Sequence, residues 1–250
     1  MELLNFLIKL HDQCLDLTRR LTFDKSFNAD GIVVSLYGSL IELTGSLITL
    51  IESEKTAGVS SVFRTFLEAY VDFVIILNDR SYQNHYYAAY HKKWVALLQA
   101  SKKGNRFLDS VAKMENLDQM IASHESELAK LKKMGFSPLP VFQRFNMAGM
   151  KDEYQSIYRF ESGGVHNDLT TLLKRHFERG EDEYSLAIYK PISSDDVISV
   201  VDTAAGLLFG ATVRIHEHLK SGCDDELKKL GDEFNAIRET APHLPEPSMP

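Results

Sequence analysis

Between Gly31 and Ile51 the chain carries a single charge, Glu42. A stretch this long and this apolar must be buried, either inside a protein core or in a bilayer. Its small and polar residues decide between the two. Ser35, Gly38, Ser39, Glu42, Gly45, Ser46 and Thr49 recur at helical spacing and fall on one side. That pattern predicts a core helix with one small, close-packing face, not a membrane span. The rest of the chain then has to supply partners that cover such a helix.

It supplies helices. Glu2–Leu21 has a wide apolar stripe at helical period, and Phe23–Asp30 is a polar connection able to cap the next helix. Val59–Asp79 is broadly apolar, but Arg64, Glu68 and Asp72 form a polar line, each four residues after the last. Two readings of that line stay open: a solvated edge, or a row facing an internal cleft. Tyr82–Lys103 mixes aromatic rings with basic residues, and the spacing favours partly buried packing over a grip on single-stranded polynucleotide. Asn105–Met134 is a charged helical arm or hairpin, and Gly135–Pro140 breaks it without dividing the domain. Val141–Met150 is short and ambiguous. Asp152–Glu161 and Asp168–Glu178 are helices, the second capped by Asn167 or Asp168. Tyr184–Lys190 alternates as a strand does. Ser193 or Ser194 starts a long helix to about Lys220, and Asp224–Thr240 is a charged terminal helix.

The expected fold is therefore all-α. It is a bundle of about eight to ten helices in one domain over residues 1–241, with a short β extension near 180–192. Pro242–Pro250 reads as a disordered proline-rich tail.

Composition narrows the function. The residues are 44% hydrophobic and 25% charged, ordinary for a globular core. A formal charge of -7 argues against a broad nucleic-acid surface, while leaving room for a local basic patch. The two cysteines, Cys14 and Cys223, and an N-terminus unlike a cleavable signal suggest a cytoplasmic protein with no membrane partner. Phosphate-binding loops, nucleophile elbows and Cys-x-x-Cys pairs are absent from the sequence. His216 and His218 are two apart and His85 and His91 six apart, which does not suit helix-borne metal pairs, so no metal or cofactor is expected.

The chemistry concentrates in Tyr158-Arg-Phe-Glu-Ser-Gly-Gly-Val-His166-Asn-Asp168, read as two helices broken by Gly163-Gly164. His166 can move a proton near neutral pH, and Arg159 can hold a phosphate. Together they suffice for metal-independent RNA cleavage through the 2′-hydroxyl. The glycines would turn the chain so that both side chains share a cleft. Asn167, Tyr158, Ser162, Arg64 and Glu68 are the candidate substrate-binding and supporting groups.

Arg159-x6-His166 in a helical domain resembles the R-x4-6-H signature of the HEPN superfamily. Tyr158, Ser162, Val165 and His166, with Arg64 and Glu68 upstream, resemble more narrowly an uncharacterised group of bacterial helical proteins with a Y-R-x2-S-x3-H motif. The likeness covers roughly residues 30–177. It implies a dimeric helical bundle whose two motifs face each other as a composite ribonuclease site. It also implies a role in toxin–antitoxin or antiviral defence, with RNA as substrate and a regulatory protein as partner. Other members have lost catalysis and only bind, which makes a non-catalytic interaction module the alternative. Two departures stand out: Phe160 follows the arginine where a polar residue is usual, and Arg80-Ser-Tyr-Gln-Asn-His85 satisfies the same pattern.

Overall fold

The computed structural model describes residues 2–24, 28–166, 168–180, 183–191 and 193–240. The predicted all-α bundle is what forms, with one small β-hairpin. Its core is built from α1 (Glu2–Leu17), α2 (Ala29–Glu52), α3 (Val59–Asn78) and α11 (Ser194–His218). α2 and α3 are joined by one short turn, Thr56–Gly58, and pack as neighbours. Asn28 caps α2 by accepting from the Gly31 amide, and Ser193 caps α11 by accepting from that of Asp196. Polar groups trapped in this core are paired. The Tyr37 hydroxyl donates to Thr212 Oγ1 at 3.1 Å, and the Cys14 sulfur lies 3.1 Å from the same oxygen. Burial pushes the Cys14 thiol up to about 11, so it packs rather than reacts.

The apolar stretch that constrains the sequence does lie in the core, but by its other face. Tyr37, Leu40, Leu47 and Thr44 are fully buried, whereas Ser35, Glu42, Ser46 and Thr49 are exposed. The stripe is therefore mostly a solvent face, and it packs closely only at Gly45, where a Cβ would lie 3.0 Å from the His11 ring of α1. Ser35, Ser39, Ser46 and Thr49 each donate to the carbonyl four residues back, so the helix itself satisfies their hydroxyls. By length and composition α2 and α11 are both apolar enough to cross a membrane, and 44% of each apolar window is buried inside the bundle.

Around this core the chain adds smaller pieces. α4 (Gln83–Lys102) pairs with α6 (Leu117–Lys133), and the linking stretch contains a 3-10 turn at Arg106–Leu108 and the short α5 (Asp109–Ala112), so Asn105–Met134, read as an arm or a hairpin, supplies the second helix of a hairpin whose first is α4. α7 (Val141–Met147) resolves the ambiguous segment as a helix against α3. α8 (Lys151–Glu153), a π-helical turn (Tyr154–Tyr158) and α9 (Arg159–His166) follow one another without a break. α10 (Leu169–His176) is capped by Asp168, which accepts from Thr171. β1 (Phe177–Arg179) pairs antiparallel with β2 (Tyr184–Leu186), taking residues predicted to end the preceding helix. α12 (Asp224–Thr240) completes the described chain. The predicted tail, Pro242–Pro250, lies outside the described residues.

Candidate functional site

The polar line of α3 faces inward, toward α7 and α9. At its buried end Asp72 is 6% exposed, accepts from the Tyr82 hydroxyl at 2.6 Å, and pairs with Arg144 Nη1 at 2.6 Å. Arg144 Nη2 reaches Glu68 Oε2 at 2.7 Å. Glu68 Oε1 accepts from the Tyr158 hydroxyl at 2.7 Å, and that hydroxyl accepts from Arg64 Nε at 2.8 Å. Arg64 also lies 4.8 Å from the centroid of the Tyr158 ring. The chain of contacts ends where Arg64 Nη1 comes within 3.2 Å of His166 Nε2.

Three ionic groups below the surface need this wiring, since a buried charge without a partner is strongly destabilising. Burial raises the Asp72 pKa, opposed by Arg144 and by the hydroxyls of Tyr82 and Tyr86. Burial works against the charge on Arg144, but Asp72 and Glu68 outweigh it and hold its pKa above the ordinary value. Tyr158 is pushed up to about 12 by burial and by its bond to Glu68, so it stays a neutral donor. Arg144 Nε is buried without a partner among the described residues. Sequence reasoning missed Arg144. The only hint was a charge imbalance on α3, two carboxylates to one arginine, which calls for a second cation without saying where it comes from.

The motif itself differs from expectation. Gly163-Gly164 does not break the helix, because α9 runs through both to His166. The glycines are there for close approach. A Cβ on Gly164 would lie 2.8 Å from the Ser60 side chain of α3, and one on Gly163 would collide with the Asp168 carboxylate that caps α10. Because α9 is continuous, Arg159 and His166 lie on one helical face two turns apart, and the turn that was to bring them together does not exist. Arg159 is exposed and bonded to none of the described residues. The guanidinium touching His166 is Arg64, from another helix. A guanidinium only donates, so His166 Nε2 accepts and the imidazole proton sits on Nδ1.

The supporting residues separate accordingly. Tyr158 is 3% exposed and Glu68 has both oxygens engaged, so they hold Arg64 instead of meeting substrate. The Ser162 hydroxyl donates to the Tyr158 carbonyl at 2.9 Å inside the helix, which also removes it from direct binding. Asn167 lies outside the described residues. What faces solvent is His166, with Arg64 against it and Arg159 farther along the same helix.

Fold and site thus define a class: an α-helical bundle with a buried ionic seam that opens on one exposed imidazole. The chain belongs to the Family of unknown function (DUF5677), which its residues 30–184 match. That span holds Arg64, Glu68, Asp72, Tyr82, Arg144, Tyr158 and His166, every residue of the seam. No curated protein and no solved structure matches the chain.

Proposed function

We propose that this protein is a metal-independent endoribonuclease of HEPN type, acting in the cytoplasm as a homodimeric toxin or antiviral-defence effector. One observation carries the reading: an exposed imidazole with a guanidinium held against its Nε2 by a buried seam. Arg64 is anchored through Nε, so Nη1 can exchange one partner for another. An RNA phosphate entering here takes Nη1, and His166 Nε2 is released as a base for the 2′-hydroxyl proton. The 2′-oxygen attacks the phosphorus, the bond to the 5′-oxygen breaks, and that oxygen takes back from His166 the proton that the 2′-hydroxyl gave up, leaving a 2′,3′-cyclic phosphate and a neutral imidazole. Arg64 and Arg159 stabilise the charge that builds on the phosphate. Expression of wild type beside His166→Ala, with total RNA examined for cleavage, tests the proposal. Cleavage is expected only from the wild type and is expected to withstand EDTA. Cleavage by the variant, or its loss on chelation, overturns the reading.

A second reading, a non-catalytic interaction module, draws on a different feature. Phe160, Leu169, Leu173, Leu186 and Ile188 are all 46–72% exposed on α9, α10, β2 and the segment that follows it. If that surface is the functional one, Leu169→Ser with Leu173→Ser abolishes association with a regulatory protein while His166→Ala leaves the phenotype intact.

A further inference from the structure

An acidic chain has room for one local basic patch, and it lies at the tip of the α4–α6 hairpin. From residue 102 to residue 113 the chain carries Lys102, Lys103, Arg106 and Lys113 against a single acid, Asp109, although its formal charge is -7. All five side chains are exposed. Lys102 is tied to Asp118 and Lys113 to Asp109, each at 2.6 Å, whereas Lys103 and Arg106 are bonded to none of the described residues. Among these cations stands Phe107, 97% exposed, the most exposed large apolar side chain of the described residues. None of these groups belongs to the Arg64–His166 site.

The backbone that presents the ring is fixed. α4 stops at Gly104, whose φ of +85° disfavours a side chain, and the amides of Gly104 and Asn105 bond back to the carbonyls of Ser101 and Ala100. The Asn105 side chain then caps the 3-10 turn by accepting from the Phe107 amide at 3.0 Å. Leu108, the next residue, is half-buried. A ring this exposed adds nothing to the core, so the fold does not account for it.

We infer that this tip binds single-stranded RNA, with Phe107 as the platform for one base and Lys103 and Arg106 as contacts to the phosphates beside it. The choice of RNA rests on the ribonuclease reading, while the charge and the ring are observed apart from it. Every base has a π-face to stack and a phosphate on either side, which one aromatic ring among free cations can match. Lys92 is exposed on the same face of α4 as Lys103, three turns earlier, and extends the basic line by about 16 Å. An anionic lipid surface would also attract the cations, but it holds a protein through buried apolar area. At the tip only Met114, 42% exposed, could add to Phe107.

Full-length protein is titrated into a single-stranded 2′-O-methyl oligoribonucleotide that carries one 2-aminopurine. The methyl group blocks cleavage through the 2′-oxygen, so binding is read whether or not the protein cleaves RNA. Saturable quenching of the 2-aminopurine is expected from the wild type, and none from a duplex of the same sequence, whose bases are already stacked. Phe107→Leu keeps the apolar character without the ring and should weaken binding about tenfold and abolish the quenching. Phe107→Tyr should restore both. Arg106→Gln should keep the quenching but reduce the slope of log K against log salt by about 0.7, the share of one phosphate on a single strand. Both positions are exposed, so the fold should survive, and circular dichroism checks it. No binding by the wild type at about 50 mM salt overturns the proposal. So does binding that Phe107→Leu leaves unchanged, or a tip that binds phosphatidylserine vesicles and not the oligonucleotide. Loss of the ribonuclease reading through cleavage by His166→Ala would leave this binding result standing, and a failed titration would leave the cleavage result standing.

Discussion

The chain contains the Arg…His pattern twice, and the two copies end in opposite states. Arg80 is tied to Asp30 at 2.8 Å, and His85 has its Nδ1 2.6 Å from the Ser137 carbonyl with its ring edge-on to Phe136. Both members of that pair hold loops to helices. In the other copy, Arg159 is exposed without a bond to the described residues, and His166 is exposed with one polar contact among them, the Arg64 of another helix. A short motif therefore specifies little. What distinguishes the copies is whether the surrounding helices occupy the histidine or leave it free beside a positioned cation.

The largest effect separating the copies is expected in RNA cleavage. His166→Ala should lower the rate by about 10²–10⁴-fold, the usual contribution of a positioned acid–base group. His85→Ala should leave it unchanged, because His85 is bonded to a backbone carbonyl. Initial cleavage rates on a defined RNA check both. Equal loss in the two variants would show that the contrast between them has no chemical meaning.

The arginines make the second comparison. Arg144→Ala leaves the buried Asp72 without its cation and the half-buried Glu68 with Arg64 alone, and about 3–5 kcal/mol of stability should be lost. Arg80→Ala removes a pair that is 62% exposed on its arginine side, and about 1 kcal/mol or less is expected. Urea unfolding measures the two on one scale. A loss of similar size in both would mean that the seam is not sealed from water.

The glycines come next. Gly164→Ala puts a Cβ 2.8 Å from Ser60, and overpacking of this kind costs about 1–3 kcal/mol. Gly38→Ala meets nothing within 4 Å in the middle of α2, and should stabilise by up to about 1 kcal/mol through helix propensity. Thermal midpoints should therefore move in opposite directions.

These contrasts also mark what the sequence could show. Helix identity was legible because period 3.6 is a local property, and so was the approximate place of three caps; which residue caps was not, and the structure selects Asn28 within Phe23–Asp30, Asp168 over Asn167 and Ser193 over Ser194, each side chain bonding an amide three residues on. The α3 line was legible as a row but not as a seam, since its other half comes from Arg144 and Tyr158, 72 and 90 residues away from their carboxylates. Gly163-Gly164 was misread for a physical reason: glycine serves turns and close approaches alike, and only the position of Ser60 decides between them. The small-residue stripe of α2 was misread for a similar reason, because serine and threonine at helical spacing suit a tight interface and a solvent face that bonds its own backbone equally well.

The smallest effect concerns the carboxyl beneath the exposed motif. Glu161 is 8% exposed on α9. Burial raises its pKa above the ordinary 4.5, opposed by a hydrogen bond from Ser60. The folded state thus favours the protonated form. The stabilising contribution of that proton is fully present below pH 4.5 and is lost as the pH rises through the folded-state value. Gln has nearly the same shape, keeps an acceptor for Ser60 and carries no charge. At pH 7, Glu161→Gln should therefore unfold at a higher midpoint than the wild type. The difference should shrink as the pH falls and vanish below 4.5. Thermal melts of the two proteins across that window check it. A difference that stays constant with pH would mean that the gain is one of packing, and that Glu161 carries no titrating charge under the site.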